Sequence, residues 1–187
     1  MGFTRDQLKA FEGKTVPDLL GPDVRLLFVG INPGLWTAAT QTHFCHPSNR
    51  FYPALRKAGL VDLVIDTYVG MTVAQRHELM ARGIGITNLV SRATARASEI
   101  GADELRRGGR RLLVTIASLR PVVVAVAGMT AYRTAFGQPG AAMGRQKADI
   151  SGAQVWAVPN PSGLNAHETT DSLAAWFTEV GKVAGLL

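Results

Sequence analysis

The chain has 187 residues, of which 47% are hydrophobic and 18% charged. This length and composition predict one globular domain with its own core and exclude a largely disordered chain. Cys45 is the single cysteine, and the four histidines lack metal-binding spacing. An internal disulfide and a Cys-cluster zinc site are therefore excluded, and we expect no metal and no cofactor. The net charge of +6 is compatible with a nucleic-acid partner, although many other proteins carry as much.

Signals for export or membrane insertion are not evident. The N-terminal residues lack the apolar segment of a secretory signal, and no stretch approaches the ~18 apolar residues of a membrane span. We therefore expect a cytoplasmic protein without a membrane partner. Residues 1–23 are expected to form a helical extension that precedes the first strand.

Buried strands are predicted in four apolar runs, at 24–31, 83–90, 121–128 and 153–160. Helices are predicted at 4–12, 49–58, 72–81, 102–119 and 170–185. The first and third helices open with capping boxes, Thr4 with Gln7 and Thr72 with Gln75. The glycine pair at 108–109 is expected to weaken the fourth helix locally. Strands that alternate with helices predict an open α/β sheet in one domain.

Two of the predicted strands end in unusual turns, at 30–34 (GINPG) and 160–165 (NPSGLN). Ordinary turn chemistry explains either turn alone, because Asn, Pro, Ser and Gly all favour turns. In open α/β sheets, however, ligands bind beyond the carboxyl ends of the strands, so two such loops predict a shared cleft. The first turn lacks the GxGxxG pattern of dinucleotide sites, and no P-loop is present.

The sequence resembles the mismatch-specific uracil/thymine DNA glycosylase family of the uracil-DNA glycosylase superfamily. The resemblance rests on VGINPGL at 29–35, HFCHPSNRFYPAL at 43–55 and PNPSGLN at 159–165. It implies a single three-layer α/β/α domain over residues 1–187, with a central, mostly parallel sheet. It also implies an enzyme that flips a base out of DNA and hydrolyses its N-glycosidic bond.

By motif match, Asn32 is the catalytic residue implied by this resemblance. An amide is not a base at neutral pH, but its oxygen can hold a water against C1′ of the sugar. This suffices if the glycosidic bond breaks dissociatively, so that positioning and electrostatics lower the barrier. Because the motif contains no lysine, we expect a monofunctional enzyme without strand cleavage.

The resemblance also implies a base pocket and a loop that enters the duplex. Phe44 is expected to stack on the flipped base, although a core aromatic is an equally good interpretation of this residue. Further pocket residues are Ile31, Gly34 and Thr37. Contact with the vacated stack and the opposite guanine is expected from Asn160, Ser162, Gly163, Leu164 and Asn165, with Leu164 as an apolar wedge.

Two positions depart from the family pattern. Ala166 replaces an Arg or similar polar residue that follows the wedge, which puts one contact to the duplex in doubt. Thr37 replaces a small residue near the C5 edge of the pyrimidine. If Thr37 faces the base, its branched side chain should crowd the methyl group of thymine and favour uracil.

Contacts to DNA phosphates are expected from Arg92, Arg96, Asn49 and Arg50, although Asn49 and Arg50 could instead order their loop. The segment 88–111 holds six arginines against three carboxylates. Its helical arginines, Arg106, Arg107, Arg110 and Arg111, are as readily interpreted as a solvated face.

These features predict a monomeric, DNA-associated glycosylase of base excision repair. Its expected substrates are uracil and ethenocytosine-type adducts paired with guanine in double-stranded DNA, with thymine a weak substrate. Two alternatives remain open: a damage-recognition module without turnover, and a relaxed glycosylase for single-stranded uracil or deaminated purines.

Overall fold

The computed structural model describes residues 2–187 and contains one five-stranded sheet. The strands are β1 (Leu26–Gly30), β2 (Ile84–Asn88), β3 (Val123–Ala127), β4 (Gly144–Arg145) and β5 (Gln154–Val158). Their order is β2-β1-β3-β5-β4, with every pairing parallel except that of β4 with β5. Each of the four predicted runs contains a strand, shorter than the run by one or two residues at each end. The antiparallel edge strand β4 was not predicted.

The helices are α1 (Arg5–Lys9), α2 (Leu35–Thr40), α3 (Phe51–Lys57), α4 (Val73–Ala81), α5 (Ala102–Leu119), α6 (Met129–Phe136) and α7 (Thr170–Val183). All five predicted helices are present, and the bounds of α5 agree with the predicted 102–119. The predicted helix 4–12 is shorter than expected and ends at Lys9. The short helices α2 and α6 were not predicted.

Capping boxes fix the start of α1 and α4, as predicted. The Thr4 and Thr72 hydroxyls accept hydrogen bonds from the backbone N–H groups of Gln7 and Gln75. In return, the side-chain oxygens of these glutamines accept from the backbone N–H groups of Thr4 and Thr72. Each box satisfies two of the donors that a helix start leaves unpaired.

The sheet is covered on both faces, because successive residues of a strand point to opposite sides. Leu26 and Phe28 of β1 pack with α3, α4 and α7, whereas Leu27 and Val29 pack with α5 and α6. This arrangement confirms the three-layer α/β/α fold.

The glycine pair does not interrupt α5. Gly108 and Gly109 are both buried, and a Cβ at either position would overlap a backbone carbonyl, that of Leu89 for Gly108 and that of Ala135 for Gly109. The pair therefore allows α5 to approach α6 and the chain that follows β2 closely, which compensates for its low helix propensity.

In the segment before β1, only α1 is helical, and the rest consists of turns, irregular chain and two isolated β-bridges. After α1, Leu19 exchanges two backbone hydrogen bonds with Ile86 (2.9 and 2.8 Å), which covers the outer edge of β2. The first residue of the predicted domain range 1–187 lies outside the described residues. None of the helices within residues 2–187 is long and apolar enough to cross a membrane.

Candidate functional site

The two Asn-Pro loops meet at the carboxyl edge of the sheet. Gly128, which follows β3, lies between them with φ of 112°. A Cβ there would be 3.3 Å from Cδ1 of Ile31 and 3.9 Å from Cβ of Asn160. Because the parallel strands β1 and β5 both flank β3, their exit loops are brought to the same edge.

The carboxamide of Asn32 is held by a distant part of the chain. Its Nδ2 group donates to the carbonyl oxygens of Pro33 (3.0 Å) and Arg92 (3.1 Å) and to Oγ1 of Thr94 (2.8 Å). Thr94 is itself buried, and its hydroxyl donates to the carbonyl of Arg96 (2.8 Å). The hydrogen of the Thr94 hydroxyl is therefore already used, and towards Asn32 this oxygen can only accept.

These three acceptors fix which way the amide faces. None of them can donate to Asn32, so the nitrogen must point towards them and the oxygen away. Oδ1 of Asn32 accepts no hydrogen bond from residues 2–187. The arrangement can therefore offer one oriented acceptor to a water molecule.

Phe44 lies against the end of β1 with one ring face covered. Its backbone is in the left-handed region (φ 56°), and its ring stacks on Phe51 with centroids 4.1 Å apart and planes 22° apart. Its edge lies against β1, since a Cβ on Gly30 would be 3.1 Å from Cζ of Phe44. One face of the ring is covered by Phe51, and the opposite face is the one that can stack on a base.

A buried pair, Asn88 and His43, was missed in the sequence. Asn88 ends β2 opposite Gly30, and its Nδ2 lies 3.0 Å from Nδ1 of His43, whose Nε2 lies 2.9 Å from the carbonyl of Pro17. Because the carbonyl can only accept, Nε2 carries the proton and Nδ1 accepts from Asn88. Burial lowers the pKa of His43, so the ring is neutral.

Oδ1 of Asn88 faces β1, and a Cβ on Gly30 would overlap it. The carboxamide of Asn88 and the ring of Phe44 therefore meet over the one residue of β1 that has no side chain. The expectation that ligands bind beyond the carboxyl ends of the strands identified the other two loops. The same expectation, applied to the predicted strand at 83–90, could have identified Asn88.

Internal hydrogen bonds shape the loop at 160–165, here called the wedge loop. The Ser162 N–H donates to Oδ1 of Asn160 (3.0 Å), and Nδ2 of Asn165 donates to the Asn160 carbonyl (3.0 Å). Gly163 approaches Ser48 so closely that a Cβ would lie 2.6 Å from the Ser48 carbonyl oxygen. Leu164, at the tip, is 91% exposed, the largest exposure among the large hydrophobic residues of the described chain.

Two of the residues expected at phosphates bind protein groups. Arg50 donates from its backbone to the Pro161 carbonyl (3.0 Å) and from its guanidinium to the carbonyls of Ser162 and Asn165 (both 3.3 Å). Oδ1 of Asn49 accepts from the Phe51 N–H (2.9 Å) at the start of α3. Both contacts agree with the loop-ordering interpretation of these residues.

Arg92 forms a two-point ion pair with Glu104, each N···O distance being 2.7 Å. The Arg92 guanidinium lowers the pKa of Glu104 to about 2. Arg96 is exposed and has no ion-pair partner among residues 2–187. Of the four residues expected at phosphates, Arg96 has the least engaged side chain.

The remaining predicted pocket residues lie at the start of α2. Thr37 is 6% exposed, and Gly34 is exposed with a φ of −76°, which any residue can adopt. Within residues 2–187, no group of three or more His, Cys, Asp or Glu side chains is placed to hold a metal ion.

The chain is similar to known proteins in sequence and in fold. A family model described as the uracil DNA glycosylase superfamily matches residues 17–180. The fold is also similar to the solution NMR structure of a Methanosarcina acetivorans protein provisionally described as a uracil DNA glycosylase. The TM-score is 0.58 at 17% identity, over 90% of this chain and 98% of that one. At this identity the structural likeness supports the fold alone.

Proposed function

Because the chain belongs to the uracil DNA glycosylase superfamily, we propose that it is a monofunctional glycosylase for uracil mispaired with guanine in double-stranded DNA. Ethenocytosine-type adducts are proposed as further substrates, and thymine as a weak one. The product, an abasic site, would initiate base excision repair. The observation that carries the proposal is the fixed orientation of Asn32, whose amide nitrogen is fully engaged while its oxygen is not.

In the proposed reaction, Asn32 positions a water and does not ionise. Its Oδ1 accepts one hydrogen of the water and holds the water oxygen towards C1′. The bond from C1′ to N1 of uracil breaks and its electron pair leaves with the base. The water oxygen then bonds to C1′, and the released proton passes to solvent. The positive charge on the sugar develops before the water bonds, so orientation of the water matters more than its basicity.

The flipped base is proposed to stack on Phe44 and to form hydrogen bonds with the carboxamide of Asn88. Phe44 supplies a flat apolar face, which suits any pyrimidine. Uracil presents an N3–H donor beside an O4 acceptor, and Asn88 has an oxygen acceptor and a second amide hydrogen beside it. A paired hydrogen bond of this kind would favour uracil over cytosine, whose N3 accepts and whose N4 donates.

The wedge loop is proposed to fill the space that the flipped base leaves in the duplex. Leu164 would enter the stack, because an apolar side chain of this exposure gains favourable burial there. Backbone groups of Gly163 and Asn165 would then meet the opposite guanine. A single chain would carry all of these groups, so we propose that the protein acts as a monomer.

The test is an excision assay on a labelled duplex with one G·U pair, read as alkali-sensitive strand breaks. Parallel substrates carry A·U, G·T, ethenocytosine opposite guanine, or uracil in a single strand. We expect the G·U duplex to be cut and Asn32→Ala to lose about 100-fold or more in single-turnover rate, as for loss of other groups that stabilise a transition state. The Arg110→Gln variant, which alters an exposed residue that makes none of these contacts, serves as the matched control.

Three results would contradict the proposal. Absence of product from every substrate would favour a damage-recognition module, tested next by binding to the same duplexes. Preference for the single strand would favour a relaxed glycosylase. Unchanged excision by Asn32→Ala would remove this residue from its role.

A further inference from the structure

A shallow groove of about 360 Å³ runs beside the candidate site. One wall is the chain that follows β2, including Ser91 and Arg92, and the other is the first half of α5, including Glu104, Arg107 and Arg111. The groove lies at the carboxyl edge of the sheet, because α5 connects the parallel strands β2 and β3 and must begin where β2 ends.

The groove and the site share a wall. The Arg92 carbonyl, in the wall that follows β2, accepts from Asn32, and the Leu89 and Val90 N–H groups donate to the carbonyls of Gly30 and Ile31 (both 2.9 Å). A molecule in the groove would therefore lie next to the loop that carries Asn32.

The charges in the groove are of two kinds. Arg92 and Glu104 neutralise each other through their two-point ion pair. Arg107 and Arg111 have no ion-pair partner among residues 2–187. They lie four residues apart on the same face of α5, so the groove has two uncompensated positive charges.

Arg111 is already held in position for a ligand. One terminal nitrogen of its guanidinium donates to the carbonyls of Asn88 (3.2 Å) and Leu89 (2.8 Å), which places the group over the end of β2. The other N–H groups of the guanidinium have no partner within the described chain, and Arg has five such donors in a rigid fork. Less side-chain entropy would be lost on binding an anion than with a mobile arginine.

We propose that this groove binds a phosphate of the DNA backbone next to the flipped nucleotide, through Arg107 and Arg111, a role that rests on the proposed function. The exposed Ser91 hydroxyl supplies a neutral donor opposite the two guanidinium groups. The groove is open to solvent, so a continuous strand can lie across it. The arginines of α5 thus divide into two sets, because Arg106 is paired with Asp103 and neither it nor Arg110 lines the groove.

The test measures binding of an undamaged, fluorescently labelled DNA duplex by anisotropy, at salt concentrations between about 50 and 200 mM. Arg107→Gln is compared with Arg110→Gln, which makes the same charge change three residues further along the same helix. Arg107→Gln should weaken binding about threefold or more and reduce the slope of log affinity against log salt by about 1. Arg110→Gln should change neither quantity by as much, and thermal unfolding should show both variants to be folded.

Equal losses of DNA affinity in both variants would indicate a general effect of charge and would contradict the proposed phosphate site. Two other results would also contradict it: an affinity of Arg107→Gln equal to that of the wild type, and no DNA binding by the wild-type chain. The measurement requires no base excision. A chain that binds as expected but excises nothing would contradict the proposed function and retain the groove. If the wild-type chain excises uracil but Arg107→Gln has an unchanged salt slope, the proposed function stands and the phosphate site in the groove is contradicted.

Discussion

At the scale of single residues, the orientation of Asn32 depends on groups about 60 positions away in the sequence. Thr94 and the Arg92 carbonyl hold its nitrogen, and the Thr94 hydroxyl is itself oriented by the Arg96 carbonyl. A free asparagine amide can rotate and present either end, which would replace the acceptor with a donor. The loop after β2 therefore helps to determine which atom of the Asn32 amide is left without a hydrogen bond.

Replacement of Thr94 by Val should impair excision more than substrate binding. Valine has nearly the same shape but cannot accept from Asn32, so the amide keeps only two of the three acceptors that orient it while the packing is retained. We expect the single-turnover rate on G·U to fall about 10-fold to 100-fold, with DNA affinity changed by less than about twofold.

Thr94→Ser is the matched control, because it keeps the hydroxyl and removes only a methyl group. It should recover most of the rate. If Thr94→Ser is as slow as Thr94→Val, packing rather than the hydrogen bond explains the loss.

Replacement of Thr37 by Ala should increase excision of thymine relative to uracil. Thr37 is buried at the start of α2, next to the loop that carries Asn32. Removal of its branched side chain would make room for a methyl group, an effect of about 1–3 kcal/mol on discrimination. The ratio of G·U to G·T rates measures it, and an unchanged ratio would show that Thr37 does not face the base.

At the scale of secondary-structure elements, the long apolar runs and the capped helices were predictable because each carries its own local signal. The strands are buried on both faces, which requires continuous apolar sequence such as that of β3. Helix α2 has only six residues and no apolar period, and β4 has two residues held in place by β5. Such elements are determined by tertiary contacts, so they cannot be predicted from the local sequence pattern.

The residues of the candidate site also divide into those that have a local sequence signal and those that depend on tertiary contacts. Asn32 and Leu164 lie in distinctive turns and could be selected from the sequence. Asn88 and Thr94 are single polar residues in ordinary surroundings, and only the parallel pairing of β1 with β2 brings them to the site. The ion pair of Arg92 with Glu104 likewise depends on how α5 packs.

Replacement of Gly108 by Ala should destabilise the protein, although alanine is the better helix former by about 1 kcal/mol. The added Cβ would overlap the Leu89 carbonyl, so α5 must move away from the chain that follows β2. We expect the free energy of unfolding to fall by about 2 kcal/mol, measured by denaturant titration.

Gly140→Ala provides the comparison, since a Cβ at Gly140 meets no atom within 4 Å. It should leave stability within about 0.5 kcal/mol of the wild-type value. A stabilising effect of Gly108→Ala would show that α5 can shift at little cost.

At the scale of the whole molecule, His43 connects three separate parts of the chain. Its ring bonds Pro17 in the N-terminal segment and Asn88 at the end of β2, and its carbonyl accepts from the buried hydroxyl of Tyr52 in α3 (2.7 Å). Burial is the largest influence on its pKa and lowers it from 6.5, with the Pro17 hydrogen bond and Asp18 opposing and Arg76 reinforcing the shift.

Stability should therefore decrease as pH falls below about 6.5. In that range the unfolded chain takes up a proton on His43 and the folded chain resists it, so protons favour unfolding. Burial lowers the pKa of His46 as well, so the wild-type dependence contains both residues. Denaturant titrations of the wild type and of His43→Gln between about pH 5 and 8 isolate the contribution of His43. We expect a shallower pH dependence in the variant, and equal slopes would contradict this assignment.

The prolines that follow Asn32 and Asn160 also affect how the protein ages. Asparagine side chains in proteins slowly deamidate when the next backbone nitrogen attacks the carboxamide and closes a cyclic imide. Proline has no N–H to lose, so this ring cannot form at either position. Asn32, the residue that would hold the water, is thereby protected from slow conversion to an aspartate. That conversion would add a negative charge and remove the amide N–H donors of its side chain. Age-dependent charge heterogeneity in a stored sample should accumulate elsewhere, at an asparagine such as Asn165, which precedes Ala166, a residue that has a backbone N–H.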